Sequence, residues 1–409
     1  MSFSSDMLWT GTVMTAVLVI FTLGKSPVFR VDRAGAAIIG SVVLIGSGVL
    51  SFDEASRSVD YRTIVILFSM MVVVANLKLS GFFELLGSQM VCRVASRKQL
   101  LASVIVISGI TSAIAINDIV CLLFTPVVLL VCERTRCNPV PHLLGVAMAS
   151  NIGSAATLLG NPQNILVGGL SGLSFQSYFF AAAPVAVLGL ICTYAALACF
   201  YRQEMADSWN VTGMVTGSIH PYLMGKSLLV LFLIVAAYIA GVELALASAA
   251  GAALLLVTRR VNPNKVYTSI DFNLLVVFTG LFVVVAGVEK SRLMEQILKC
   301  LSFEGFESIG WFALLTMLVS NVVSNVPAVL LLKFFIPAEQ PDLWWKALAL
   351  FSTLAGNLTI TGSIANLIVV EIAKKQRVEI SAKEYFFVGF PLTLCITGLG
   401  VLWLQIFVK

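Results

Sequence analysis

Asp118 stands where a carboxylate is hardest to keep charged: with Asn117 it interrupts an apolar run from Leu100 to Val131. An ionised side chain held away from water is costly and functional by default, so proton or cation coupling is the chemistry expected of it. Capping the helix that follows is a second role that Asp fills well, and the two can coexist. A second apolar run, Ile309 to Pro337, is interrupted at Ser324-Asn325-Val326-Pro327. Two further clusters of polar residues and glycines lie inside apolar stretches. Ser150 to Asn164 holds Asn151, Gly160, Asn161 and Asn164; Gly356 to Asn366 holds Asn357, Thr361, Gly362, Ser363 and Asn366. A helix unwound in lipid exposes N–H and C=O groups at considerable cost unless they line a protein cavity. Breaks of this kind imply ligands: helix amino termini suit an anion, and freed carbonyls or Asn side chains suit a cation. Taken singly, each Asn also fits as hydrogen-bonding glue between helices. Their joint recurrence points to one composite site that includes both hairpin tips.

Other polar residues have blander readings. Pro126 and Pro327 set helix geometry, His142 and His220 anchor helix ends at the interface, and Lys333 snorkels toward the surface. Glu371 reads as a surface carboxylate. Cys121, one turn beyond Asp118, is a soft-ligand candidate left outside the expected site. The eight cysteines show no paired spacing, so buried thiols acting as small hydrophobes are the expectation. No His pair or HExxH pattern occurs. The chain therefore offers no catalytic set, no cofactor site and no metal site beyond one for a sodium ion.

These residues must be positioned by membrane helices. The chain is 59% hydrophobic and 11% charged, with a mean hydropathy of +0.98, which leaves too little polar surface for a water-soluble domain. The net charge of +5 reports membrane orientation and does not imply nucleic acid. Spanning helices are expected near 8–23, 34–51, 62–77, 142–170, 181–200, 227–242, 244–257, 273–288, 346–372 and 385–406. The runs 100–131 and 309–337 do not fit that count. Each arm of the first, at about 15 residues and 22 Å, is too short to cross alone. Arg93, Arg97 and Lys98 precede this run and Arg134 and Arg136 follow it, so both ends lie on the cytoplasmic side. The acidic flanks Glu304, Glu307, Glu339 and Asp342 place the second run on the outer face. Both read as re-entrant hairpins.

Val59-Asp60 followed by Val72-Val73-Val74-Ala75 recurs as Ile270-Asp271 followed by Val283-Val284-Val285-Ala286. Asn117 matches Asn325, Asn151 matches Asn357, and Gly160 to Asn164 matches Gly362 to Asn366. The fold expected is thus an all-α polytopic membrane protein with two inverted-topology repeats, each carrying a re-entrant helical hairpin and a discontinuous transmembrane helix. Scaffold helices occupy 1–54, repeat 1 spans 55–200, a linker spans 201–226, further scaffold helices occupy 227–266, and repeat 2 spans 267–409.

Asn117-Asp118 with Thr125-Pro126, Asn151-Ile152-Gly153 through Gly160-Asn161-Pro162-Gln163-Asn164, and Ser324-Asn325 resemble an ion-transporter superfamily. It contains arsenite permeases, D-type sodium/proton antiporters, and citrate and divalent-anion symporters. The resemblance covers nearly the whole chain and is nearest to the arsenite-permease-like branch. It implies a multi-pass protein of the cytoplasmic membrane that is not an enzyme. It further implies an elevator-like movement of the hairpin-bearing part and a homodimer through the scaffold. The dicarboxylate branch has Ser-Asn-Thr at both tips, whereas this chain has Ile116-Asn117-Asp118 and Ser324-Asn325-Val326. The expected function is secondary transport of a small anion or oxyanion, arsenite-like, coupled to H+ through Asp118. A sodium/proton antiporter and a Na+-coupled carboxylate or sulfate symporter are the alternatives. An arsenite exporter would add an ATPase subunit as partner.

Overall fold

A computed structural model describes residues 5–206, 219–257, 262–301 and 308–408, without the side chains of 91–93 and 298–301. Every named element in it is helical. The first half contains α1 (Ser5–Leu23), α2 (Arg33–Gly46), α3 (Phe52–Ser58), α4 (Tyr61–Leu79), α5 (Phe82–Arg93), α6 (Arg97–Ile114), α7 (Asn117–Thr135), α8 (Val140–Ser154), α9 (Pro162–Ser171) and α10 (Phe175–Phe200). The second contains α11 (Pro221–Ile239), α12 (Leu244–Leu256), α13 (Pro263–Tyr267), α14 (Phe272–Lys290), α15 (Leu293–Leu301), α16 (Ile309–Val323), α17 (Asn325–Leu332), α18 (Pro341–Leu354), α19 (Ile364–Lys375) and α20 (Ala382–Phe407). Among the described residues seven helices, α1, α4, α6, α10, α11, α14 and α20, are long and apolar enough to cross a membrane. The protein is a multi-pass membrane protein.

Equivalent residues start equivalent helices. Asp60 accepts from the backbone of Arg62 and Thr63 at the head of α4, and Asp271 accepts from Leu274 at the head of α14. Ser96 and Ser308 cap the first arms of the two hairpins through Gln99 and Trp311. These side chains satisfy donors that a helix start otherwise leaves unpaired.

Packing follows the same repeat. α6 lies on α8 as α16 lies on α18, and α8 lies on α10 as α18 lies on α20. Across the halves, α7 meets α19 while α17 meets α9, and α12 packs on α4 while α2 packs on α14. Exchanging α1–α10 for α11–α20 thus reproduces these neighbour relations. The helices fall into two groups: α1–α4 with α11–α14, and α6–α10 with α16–α20. α5 and α15 connect one group to the other in each half.

α6 and α8 approach each other closely. A Cβ on Gly153 would stand 2.1 Å from the carbonyl oxygen of Gly109, so only glycine permits this approach. α2 and α14 meet nearly as tightly, with the Ser41 hydroxyl donating to Gly280 O at 3.0 Å.

Several expected boundaries move. α6 and α7 run 18 and 19 residues, longer than the expected arms, because Ser96 starts α6 early and α7 persists past the apolar run to Thr135. Length alone therefore does not turn the chain back; the extended pair Ala115-Ile116 does. α17 is short at 8 residues and ends in a 3-10 turn, Lys333–Phe335. α11 begins at Pro221, inside the expected linker, and residues 207–218 of that linker lie outside the described residues. Glu304 and Glu307, used to orient the second run, also lie outside them. α3, α5, α13 and α15 are additional short helices that span counting missed, since their charged residues mask their apolar faces. Lys333 lies 3.5 Å from Glu289 in an ion pair. His220 is exposed as expected of an interface residue, but His142 is not: it is 1% exposed, packed inside.

Gly153→Val should separate α6 from α8 and cost roughly 1–3 kcal/mol or more, as overpacking does. The expected readout is a lower thermal midpoint and less monodisperse protein in detergent. Gly398→Val, where a Cβ meets nothing within 4 Å, should leave both unchanged.

Candidate functional site

Both expected broken helices are broken. α8 ends at Ser154 and α9 starts at Pro162; α18 ends at Leu354 and α19 starts at Ile364, with two 3-10 turns, Ala355–Asn357 and Ile360–Gly362, between them. Each break is closed by the same device. Asn164 Nδ2 donates to Ser154 O at 3.3 Å and Thr157 O at 2.9 Å. Asn366 Nδ2 donates to Gly356 O at 2.7 Å and Thr359 O at 3.2 Å. All three positions share an offset of 202 (366 less 164). Asn161 caps α9 by accepting from Asn164 N, and Ser363 caps α19 by accepting from Ala365 N. Two expected site residues, Asn161 and Ser363, are therefore helix caps at equivalent places.

The same offset corrects one match. Asn151 corresponds to Thr353, not to Asn357, because the chemistry of the crossing is what repeats. Asn151 Oδ1 accepts from Ser363 Oγ at 3.0 Å while Asn151 Nδ2 donates to Asn366 Oδ1 at 3.0 Å. Reciprocally, Thr353 Oγ1 accepts from Asn161 Nδ2 at 3.0 Å and donates to Asn164 Oδ1 at 3.0 Å. Asn357 joins by accepting from Asn151 Nδ2 at 2.8 Å and donating to Met148 O at 3.0 Å. All of these side chains are buried.

The first hairpin tip is tied into this web. Asn117 Nδ2 donates to Asn151 Oδ1 at 2.9 Å, and Asn117 N donates to Gly160 O at 2.9 Å. Gly160 is needed there, since a Cβ would lie 2.2 Å from Ser154 O. At the second tip, Ser324 turns the chain with φ 74° and ψ 158°, a conformation that favours glycine. Gly362 presses on Asn321, whose Oδ1 accepts from Thr359 Oγ1 at 3.0 Å and whose Nδ2 donates to Ala355 O at 2.8 Å. Thr361 is exposed and contacts Thr359 at 3.2 Å. The loop of the first break is buried throughout, whereas the second opens at Thr361.

Six of the buried polar atoms without a partner follow the repeat as well. Asn117 Oδ1 and Asn325 Oδ1, Ser112 Oγ and Ser320 Oγ, and Ser108 Oγ and Thr316 Oγ1 are all unengaged, each pair at an offset of 208 (325 less 117). Buried groups of this kind are ordinarily paired, so their recurrence along the first arm and tip of each hairpin is a feature the two halves share. The serines and threonines of the first arms, Thr353 and Asn321 were not singled out from the sequence. Running the hairpin offset along the arms would have found the first four.

Asp118 does not join the web. It is a first-turn residue of α7, half-buried, and provides no cap hydrogen bond; Arg33 and Asp271 are the charged groups within electrostatic reach of it. Arg33, itself half-buried, donates to Phe21 O at 3.1 Å. Cys121 is engaged, 2.9 Å from Ser150 Oγ.

Asn151→Ala removes the partner of Asn117, Asn357, Ser363 and Asn366 at once. With each buried unsatisfied group costing about 1–3 kcal/mol, transport should fall at least about tenfold while the protein still inserts. Thr353→Ala should reproduce this from the other half, both measured as initial rates in proteoliposomes.

A citrate transporter family model matches residues 16–355. The 46 kDa membrane protein of Mycobacterium leprae is 30% identical, over 96% of this chain and 98% of the relative. The silicon efflux transporter LSI3 of rice (Oryza sativa subsp. japonica) is 26% identical, over 92% and 93%. The crystal structure of the Alcanivorax borkumensis YdaH transporter, at 14% identity, superposes with a TM-score of 0.59 over 99% of this chain and 98% of that one, a likeness of fold. Matched along most of its length, the chain belongs to the citrate transporter family of membrane transporters, within the ion-transporter superfamily.

Proposed function

We propose that this transporter moves a small anion or oxyanion, with an arsenite-like hydroxide as the leading solute, across the cytoplasmic membrane in exchange for or together with protons. The observation that carries the reading is the pair of tip asparagines, each with a buried side-chain carbonyl oxygen unengaged, the first of them bonded into the crossed polar web. Acceptors of this kind suit the O–H groups of a neutral hydroxide. A multivalent carboxylate would call for guanidinium forks, and the web itself is built from amides and hydroxyls. Silicon, named for the rice relative, forms neutral hydroxides as trivalent arsenic does, which supports the same solute class.

Asp118 is the coupling group in this reading. It stands next to the tip residue Asn117 in the first turn of α7, within electrostatic reach of Arg33 and Asp271, a place that suits a coupling carboxylate. The two helix groups joined by α5 and α15 suit an elevator: α6–α10 with α16–α20 carry the site, and α1–α4 with α11–α14 stay fixed. With the amino terminus outside, the halves have opposite topology, the arrangement alternating access uses.

A cation in place of the solute is the second reading, since the unengaged Asn117 and Asn325 oxygens also suit sodium. Proteoliposomes loaded under imposed proton or sodium gradients and offered arsenite, antimonite, silicate, phosphate, sulfate, citrate and succinate separate the two. Solute flux that follows the proton gradient and falls at least about tenfold in Asp118→Asn is the expected result. Proton–sodium exchange without solute flux would replace it with the antiporter, and sodium-driven citrate, succinate or sulfate uptake with the symporter.

A further inference from the structure

Where the first hairpin ends, α7 stops in a left-handed turn. Arg136 has φ 50°, its N–H donates to Glu133 O at 3.2 Å, and Cys137 N donates to Cys132 O at 3.0 Å. This doubling-back lays Cys137 over Cys132, and an apolar contact between those two positions is the usual companion of such a helix end. It does not account for His142. That imidazole, two residues into α8, is 1% exposed, and neither ring nitrogen makes a hydrogen bond. One of its nitrogens and both sulfurs lie within 4.8 Å of one another. A buried imidazole whose polar neighbours are two thiols, Cys137 interacting with it directly, is poorly satisfied by ordinary hydrogen bonds.

We propose that Cys132, Cys137 and His142 bind a borderline-soft d10 metal ion of the zinc class, with water or an exchangeable ligand in the fourth position. Two sulfurs at about 2.3 Å and a nitrogen at about 2.0–2.1 Å are ordinary zinc distances. Closing the cluster onto an ion needs only a contraction of about 1 Å between ligand atoms. Each sulfur binds as the thiolate, so a thiol proton displaced by the metal leaves to solvent. The ligands come from the end of α7 and the start of α8, so the ion staples the base of the hairpin to the first half of the broken helix. Beside it, Asn138 Nδ2 donates to Glu204 Oε1 at 2.9 Å and Arg97 donates to Glu204 O at 3.0 Å, tying the α7–α8 loop and the start of α6 to the segment that follows α10. The site is separate from the asparagine web and independent of what the transporter carries.

The test uses the full chain purified in detergent under reducing conditions, stripped with a chelator, then offered zinc alone or cobalt(II) as a spectroscopic probe. One equivalent retained after desalting, with a cobalt–thiolate charge-transfer band, is expected. Retention should weaken about 100-fold or more in Cys132→Ala/Cys137→Ala and clearly in His142→Ala, with Cys121→Ser and Cys199→Ser binding as the wild type. The double alanine variant keeps an apolar helix end, and a monodisperse profile establishes that it folds. No stoichiometric metal, or equal retention by the double variant, would overturn the proposal. So would, in protein purified without reductant, a mass lowered by two hydrogens and restored by either cysteine substitution, which would make the pair a disulfide instead.

Discussion

The structure depends on one constraint: backbone groups released from a helix inside a membrane must find partners within the protein. Asn164 and Asn366 meet it. Each sends its side-chain nitrogen back to two carbonyls of its own unwound loop, to Ser154 and Thr157 in one case and to Gly356 and Thr359 in the other. With those carbonyls held, the loop becomes a fixed surface and its remaining polar atoms are free to face the other half. The tight approach of Gly153 to Gly109 and the bond from Asn117 N to Gly160 O then seat the first hairpin against that surface. In this sense the site is a by-product of solving a solvation problem.

The web is crossed and not local. Asn151 of the first half holds Ser363 and Asn366 of the second, and Thr353 of the second holds Asn161 and Asn164 of the first. Different side chains thus do the same job at equivalent places. An amide at position 151 has donors and acceptors enough to reach Asn117 and Asn357 as well, whereas the hydroxyl at 353 adds only Gln163. The asymmetry concentrates the polar connections on the first hairpin tip and leaves Asn325 less engaged.

Much of this was legible before any coordinates. Lipid as solvent, the two interrupted runs, the two breaks and the cluster of asparagines all follow from apolar length and the cost of unpaired backbone. The limits were equally physical. Thr353 is silent because a threonine in an apolar helix ordinarily bonds its own backbone, and only the partner loop reveals its second use. Helix ends shifted because caps such as Ser96 and Ser174 lie outside the hydrophobic stretches that were used to locate spans. His142 misled because position near a helix end says nothing about which side of the helix is covered. The cysteine spacing gave no warning of Cys137 folding back on Cys132, since it takes a left-handed turn at Arg136 to bring them together.

The crossed pairing also has a bearing on how the chain is made. Asn161 and Thr353 are 192 residues apart, so at about 5–20 residues per second the first broken loop is in the membrane for about 10–40 s before its partner exists. During that interval its amides have only their own carbonyls, water or the insertion machinery to bond. The self-closure by Asn164 is what makes that wait survivable, because it holds the first half in a nearly satisfied state that the second half completes.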